Sequence, residues 1–106
     1  MAVLGNYVRL EEGVTKRLHF YDHVFSEREI RDPVLGRPKR VRTLVFYVDE
    51  EDGRRVDKVF SVIQEKLAAA LYPYLAGKRY TGFTFAITKI GTGFRAEFQV
   101  EAIPRP

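Results

Sequence analysis

Residues 40–60, RVRTLVFYVDEEDGRRVDKVF, decide the fold because they predict two strands joined by a tight turn. In residues 40–48, apolar side chains occupy both alternating sets, a pattern typical of a strand that is covered on both faces. The Asp52–Gly53 pair predicts a two-residue hairpin turn. The strand that follows, residues 56–60, is expected to pair back on the first, and the two apolar faces of residues 40–48 predict a central strand of the sheet.

The sequence before this hairpin predicts a long strand and then a loop. Residues 15–30 are rich in aromatic side chains and lack glycine and proline. Their apolar and polar positions fall on mixed faces near Asp22, which predicts a bulge or bend there. Residues 31–39 contain two prolines and a glycine, so they are expected to form a loop outside the sheet interior.

The sequence after the hairpin predicts one helix and two more strands. Ser61 and Gln64 have the spacing of a capping box, and Pro73 and Gly77 are expected to end the helix. Its inward face is predicted from helical spacing: Ile63, Leu67, Ala70, Leu71 and Tyr74. Residues 83–88 and 94–102 alternate as strands on either side of the turn Gly91-Thr92-Gly93.

The predicted element order is three strands, a helix and two strands, in a mainly β protein. A five-stranded barrel with one helix between strands 3 and 4 is the OB-type arrangement, and closing a barrel removes exposed sheet edges. The alternative is an open antiparallel sheet with one helix packed across it. The 106 residues suit a single domain, residues 1–106.

Composition narrows the class of protein. The absence of cysteine excludes disulfides, thiolate zinc sites and cysteine nucleophiles. No apolar run approaches the roughly 20 residues of a membrane span, and the first residues lack the pattern of a signal peptide, so a cytoplasmic protein without membrane contact is expected. A single asparagine and a single methionine beside abundant charged residues indicate a thermophilic source.

The charge distribution predicts a positive face. The net charge is only +4, but residues 33–48 and 66–96 contain no acid, whereas residues 49–52 are all acidic. A positive face attracts polyanions. Fourteen aromatic residues are also more than a core of this size needs, so some are expected at the surface.

These features predict an interface for single-stranded nucleic acid. Such binding needs cations that follow the phosphates and rings on which bases stack, and an OB barrel offers its second and third strands together with flanking loops. Because Arg40 and Arg42 alternate with Tyr47, a bulge or strong coiling would be needed to bring them onto one surface. The candidate residues are Arg31, Arg37, Lys39, Arg40, Arg42, Tyr47, Lys58, Phe60, Lys89, Phe94 and Arg95.

Three segments carry a family resemblance: residues 7–13, residues 60–71 and residues 85–100. They contain an L-x-x-G turn, a serine-led helix and an I-x-K-x-G-x-G hairpin followed by an alternating strand. This series resembles small OB-fold proteins of phages and archaea that are related to single-stranded-DNA-binding proteins. The resemblance implies sequence-tolerant binding of single strands, without catalysis or a cofactor.

Other functions are also open at this stage. The apolar residues Val34 and Leu35 and the aromatic surplus favour a protein-interaction module, such as a homo-oligomer or a subunit of a replication or repair assembly. Small size and basicity favour a duplex-binding chromatin protein, and nothing separates DNA from RNA. His19 and His23 lie about 13 Å apart along a strand, so no metal site is expected. No enzyme is predicted either, because residues 91–93 lack the rest of a phosphate loop.

Overall fold

The hairpin of residues 40–60 forms as predicted in the computed structural model, which describes residues 6–32, 34–92 and 96–106. Its first strand lies inside the sheet and its second strand lies at one edge. Asp52 and Gly53 both have positive φ, +51° and +83°, as a type I′ turn requires. The strands and the helix are β1 (Thr15–Arg31), β2 (Pro38–Glu51), β3 (Arg54–Val62), α1 (Glu65–Leu71), β4 (Phe83–Ile90) and β5 (Glu97–Pro104).

The five strands form one antiparallel sheet in the order β3-β2-β1-β4-β5. The mainly β class and the position of the helix after the third strand are therefore confirmed. Within the described residues, no ladder joins β3 to β5, and an open sheet with a packed helix describes the arrangement. Helix α1 packs against β5 and β3, while Asn6 and Val8 exchange backbone hydrogen bonds with Val59 on β3.

The core is organised around Phe20 in β1. Its ring stacks on Phe46 with centroids 4.2 Å apart and on Phe85 at 5.3 Å, and Tyr80 packs edge-on at 6.4 Å. All four side chains are completely buried. Large aromatic rings bury more apolar area than any other side chains, so this cluster supplies much of the stabilisation of a small domain.

Two bulges interrupt the β1–β2 ladder, and they confirm the irregularity predicted near Asp22. Phe20 pairs with Val48, and the next pair is Asp22 with Tyr47, so Tyr21 is an extra residue in β1. Asp49 is likewise an extra residue in β2. After each bulge the alternation of side chains is shifted by one residue, so His23 and Phe25 lie on the same face as Phe20.

The predicted capping box is wrong, because β3 continues through Val62. Ser61 pairs with Val45 in the sheet, and Gln64 occupies the N-cap position without a side-chain cap. Leu67 and Leu71 in the helix are buried as predicted, whereas Ala70 in the helix and Ile63 before it are exposed. Short 3-10 helices, Tyr72–Tyr74 and Ala76–Gly82, follow it, and Pro73 lies at the start of the first, where its fixed φ suits a helical turn.

The distal halves of β1 and β2 extend beyond the rest of the sheet. In the described residues, β4 pairs with β1 only from Thr15 to Leu18, and β3 pairs with β2 only from Leu44 onwards. Residues 26–32 and 34–43 therefore form a two-stranded ribbon, here called the β-arm. The β-arm contains both the predicted loop and the basic cluster.

Replacing Phe20 by alanine should lower the free energy of unfolding by about 3–5 kcal/mol, because it removes a buried ring that packs against four others. Phe25→Ala is the matched control, since Phe25 lies in the same strand and is 41% exposed. The control should cost about 1 kcal/mol or less. Denaturant titration measures both values, and equal losses would contradict this account of the core.

Candidate nucleic-acid interface

Arg40 and Arg42 share one face of the sheet with Phe25. Phe25 pairs with Leu44, and the next pair on that face joins Glu27 to Arg42. The Arg42 guanidinium carbon lies 4.2 Å from the centroid of the Phe25 ring. Arg40 is 80% exposed and forms a 3.5 Å ion pair with Glu27. The predicted arginine cluster therefore lies beside an aromatic ring, although the ring is Phe25 rather than Tyr47.

A shallow apolar pocket adjoins this cluster at the root of the β-arm. It has a volume of about 270 Å³ and is lined by Phe25, Tyr72, Leu75 and Ala76. We call it the Phe25 pocket. The Tyr72 side chain is 68% exposed, which leaves its ring open to a ligand. Tyr72 is not among the residues predicted from the sequence. Its place beside Pro73, just after the helix, was the one sequence feature that could have indicated an exposed ring.

Tyr47 lies on the opposite face of the sheet, against Tyr21. The two ring centroids are 6.1 Å apart. Partial burial and the nearby carboxylates of Asp57 and Asp49 raise the pKa of Tyr21 above its ordinary value. The bulges do not bring Tyr47 onto the arginine face, and its own surroundings are acidic. Phosphates are therefore less favoured beside Tyr47 than beside Arg42.

The other predicted cations divide between the two ends of the sheet. Arg31, Arg37 and Lys39 are exposed on the β-arm. Lys89 lies near the end of β4, where its carbonyl accepts a hydrogen bond from Gly13. Its neighbour Thr88 pairs with the first residue of β1, about 35 Å of strand away from the β-arm. The structure therefore does not bring Lys89 together with the basic cluster.

Lys58 and Phe60 need correction as binding residues. Phe60 is 4% exposed and belongs to the core, so no base can stack on it. The Lys58 ammonium donates a 2.7 Å hydrogen bond to Glu51, which also receives one of 3.0 Å from Lys16. Lys58 is therefore already paired. The predicted residues Phe94 and Arg95 lie outside the described residues.

The two histidines have structural partners. His19 Nδ1 lies 2.6 Å from Asp49 Oδ1, and its Nε2 lies 2.9 Å from the Thr81 carbonyl oxygen. Both partners are acceptors, so both nitrogens donate only when the ring carries two N–H groups, and the two contacts then hold β1 to β2 and to the 3-10 helix that contains Thr81. His23 Nδ1 is hydrogen-bonded to the Tyr80 hydroxyl at 2.5 Å. Burial raises the pKa of Tyr80 to about 12, so this hydroxyl stays protonated in the core.

No family model, curated protein or solved structure matches this chain. Its function therefore has to be argued from its own geometry. Across the described residues, none of the helices has the length and apolar character needed to cross a membrane.

Glu51→Gln should make stability less dependent on pH. Burial would raise the pKa of Glu51, but hydrogen bonds from Lys58 and Lys16 outweigh it and lower the pKa below its ordinary 4.5. A lowered pKa stabilises the fold above about pH 4.5, and this contribution disappears as the pH falls through the folded-state pKa. The variant should lose about 1.5–3 kcal/mol at pH 7, and the difference should shrink below pH 4.5.

Urea titrations from pH 3 to pH 7 measure this loss. Glu101→Gln on the exposed side of β5 is the control and should change stability by about 0.5 kcal/mol or less at any of these pH values. A Glu51→Gln deficit that is constant across this range would contradict the assigned ion pairs.

Proposed function

We propose that this protein binds single-stranded nucleic acid, DNA or RNA, along the Arg40–Arg42 face and the Phe25 pocket. The observation that carries the proposal is the Arg42 guanidinium over the Phe25 ring, beside the exposed ring of Tyr72. Single strands are bound by cations that follow the phosphates and by rings that stack on the bases. Both groups are present here on one face of the sheet.

The electrostatics of the β-arm support this assignment. Among residues 26–43 there are six basic and three acidic residues. Glu27 and Arg40 form an exposed ion pair at 3.5 Å, and exposed pairs contribute about 0–1 kcal/mol. A phosphate can therefore replace Glu27 as the partner of Arg40 at little cost. A phosphate cannot replace Glu51 as the partner of Lys58 as easily, because Glu51 is mostly buried and also bonded to Lys16.

We also propose that the fold is an opened OB-type barrel. If β3 paired with β5, the order β3-β2-β1-β4-β5 would close into a five-stranded barrel with the helix between its third and fourth strands. Helix α1 lies against both of these edge strands, and Asn6–Val8 covers the edge of β3. In OB-type proteins the loop between the first two strands contributes to the ligand site, and here the β-arm occupies that position.

The proposed role is binding without catalysis. His19 and Asp49 resemble the base and orienting carboxylate of a hydrolase, but His19 Nε2 is bonded to the Thr81 carbonyl oxygen. A general base needs a nitrogen directed at the substrate. The occupied ring therefore supports a structural role for this pair.

Arg40→Gln combined with Arg42→Gln should weaken binding to a labelled single-stranded oligonucleotide and flatten its salt dependence. Each lost phosphate contact reduces the slope of log K against log salt by about 0.7 for a single strand, so a drop of about 1.4 is expected. The matched control is Arg54→Gln with Arg55→Gln, which removes the same charge from the start of β3, directly after the Asp52–Gly53 turn. The control should keep the wild-type slope.

Tyr72→Ala should weaken binding of the same oligonucleotide by about 1–3 kcal/mol, the usual contribution of one stacked base. Tyr47→Ala is the comparison, because that ring lies on the acidic face and should have a smaller effect. Fluorescence anisotropy at fixed salt measures both. A larger loss from Tyr47→Ala would move the stacking surface to the opposite face.

The same titrations separate the alternative functions when duplex and single strand are run in parallel. Equal affinity for both ligands would favour a duplex-binding protein. A stable oligomer that does not respond to either ligand or to salt would favour the interaction module and would contradict nucleic-acid binding.

A further inference from the structure

The described residues at the tip of the β-arm form a hydrogen-bonded turn that presents two apolar side chains. Asp32 Oδ1 accepts hydrogen bonds from the amides of Val34 and Leu35, at 2.8 and 3.0 Å. The amide of Gly36 donates to the Asp32 carbonyl at 2.8 Å, and the φ of Gly36, +69°, favours glycine. These hydrogen bonds hold the backbone of Val34, Leu35 and Gly36 to Asp32.

Val34 and Leu35 are unusually exposed for apolar residues, at 87% and 66%. The fold therefore does not gain from these two side chains the stabilisation that burial of an apolar side chain provides. They lie at the end of a narrow ribbon, and Arg31 and Arg37 flank them in sequence on either side of the turn. Proteins that insert apolar side chains between base steps also use basic residues to contact the nucleic acid, and this tip offers both kinds of side chain.

The distance from the tip to the Phe25 pocket sets the length of strand that could join them. Along β1, the pair Arg31–Pro38 lies six residue steps from the pair Phe25–Leu44. At the rise of a strand this is about 20 Å. At 3.4 Å per nucleotide, a stacked single strand covers that distance with about six nucleotides.

We propose that Val34 and Leu35 form a wedge that enters the last base pairs of a duplex at the point where a single strand leaves it. This inference rests on the proposed function, because the emerging strand then follows Arg40 and Arg42 to the Phe25 pocket. The arginines beside the tip contact phosphates of the duplex end. Unstacking costs least where pairing already ends, so a junction is the favoured place for such a small wedge.

The experiment uses the full chain and a DNA junction with 2-aminopurine in the terminal base pair. Wild-type protein should raise the fluorescence of this base and should bind the junction more tightly than the single strand alone. Val34→Ser with Leu35→Ser should abolish the fluorescence rise and weaken junction binding about tenfold. Its affinity for the single strand should stay within about twofold, since the Phe25 pocket is intact.

Overhangs of two to ten nucleotides provide the second measurement. Affinity should rise with overhang length and level off at about six nucleotides, the length that reaches the Phe25 pocket. A plateau at two nucleotides would overturn the path along the β-arm. Val24→Ser with Ile63→Ser removes two exposed apolar residues elsewhere and is the control, for which wild-type behaviour is expected.

The possible failures are distinguishable. If the tip variant binds junction and single strand as the wild type does, the wedge is wrong while the proposed function stands. If the wild type binds neither ligand, the proposed function fails as well. The last measurement uses vesicles of phosphatidylcholine with 30% phosphatidylserine. If vesicle binding depends on Val34 and Leu35 while the tip variant binds junctions as the wild type does, the tip contacts a membrane surface instead.

Discussion

The paired bulges at Tyr21 and Asp49 are the constraint on which the rest of the structure depends. They shift the alternation of β1 and β2 by one residue, so a strand that begins with Leu18 and Phe20 in the core continues with His23 and Phe25 on the same face. Without the shift, Asp22 would lie over Phe46. The bulges thus let one pair of strands serve first as the wall of the core and then as the β-arm. They also determine which ring accompanies Arg42.

The parts of this fold that were predictable are those set by neighbouring residues. The Asp52–Gly53 turn follows from the φ values that these residue types tolerate, and both faces of β2 follow from strict alternation. Ser61 failed as a cap because a sheet partner, Val45, holds its backbone extended, and such a tertiary preference overrides a local signal. The strand order, and the extension of β1 and β2 beyond the other strands, depend on long-range contacts, which no local pattern encodes.

The candidate site was predicted in part for the same reason. The basic segment is visible in the sequence as a run without acids, and it does lie on an exposed ribbon. Tyr47 was predicted as its aromatic partner on the condition that a bulge or strong coiling brought it onto the arginine face. The extra residue of β2 is Asp49, which comes after Tyr47, so Tyr47 and Arg42 stay on opposite faces. Tyr72 reaches the site from a 3-10 helix about 30 residues further along the chain, through a contact between that helix region and β1. Only the folded chain contains that information.

The contacts that each basic side chain makes within the protein determine whether it is available to bind a ligand. Lys16 and Lys58 contact Glu51 at 3.0 and 2.7 Å, and the carboxylate is only 11% exposed, so removing either lysine from it would leave a buried charge poorly compensated. The pair Arg40–Glu27 is longer and more than 60% exposed on both sides, so solvent already weakens it. The Arg42 guanidinium packs on the face of the Phe25 ring, which leaves its N–H groups able to donate hydrogen bonds to a phosphate. Lys16 and Lys58 therefore stabilise the part of the sheet that contains the core. Arg40 and Arg42 remain available to a ligand on the β-arm, which has little core of its own.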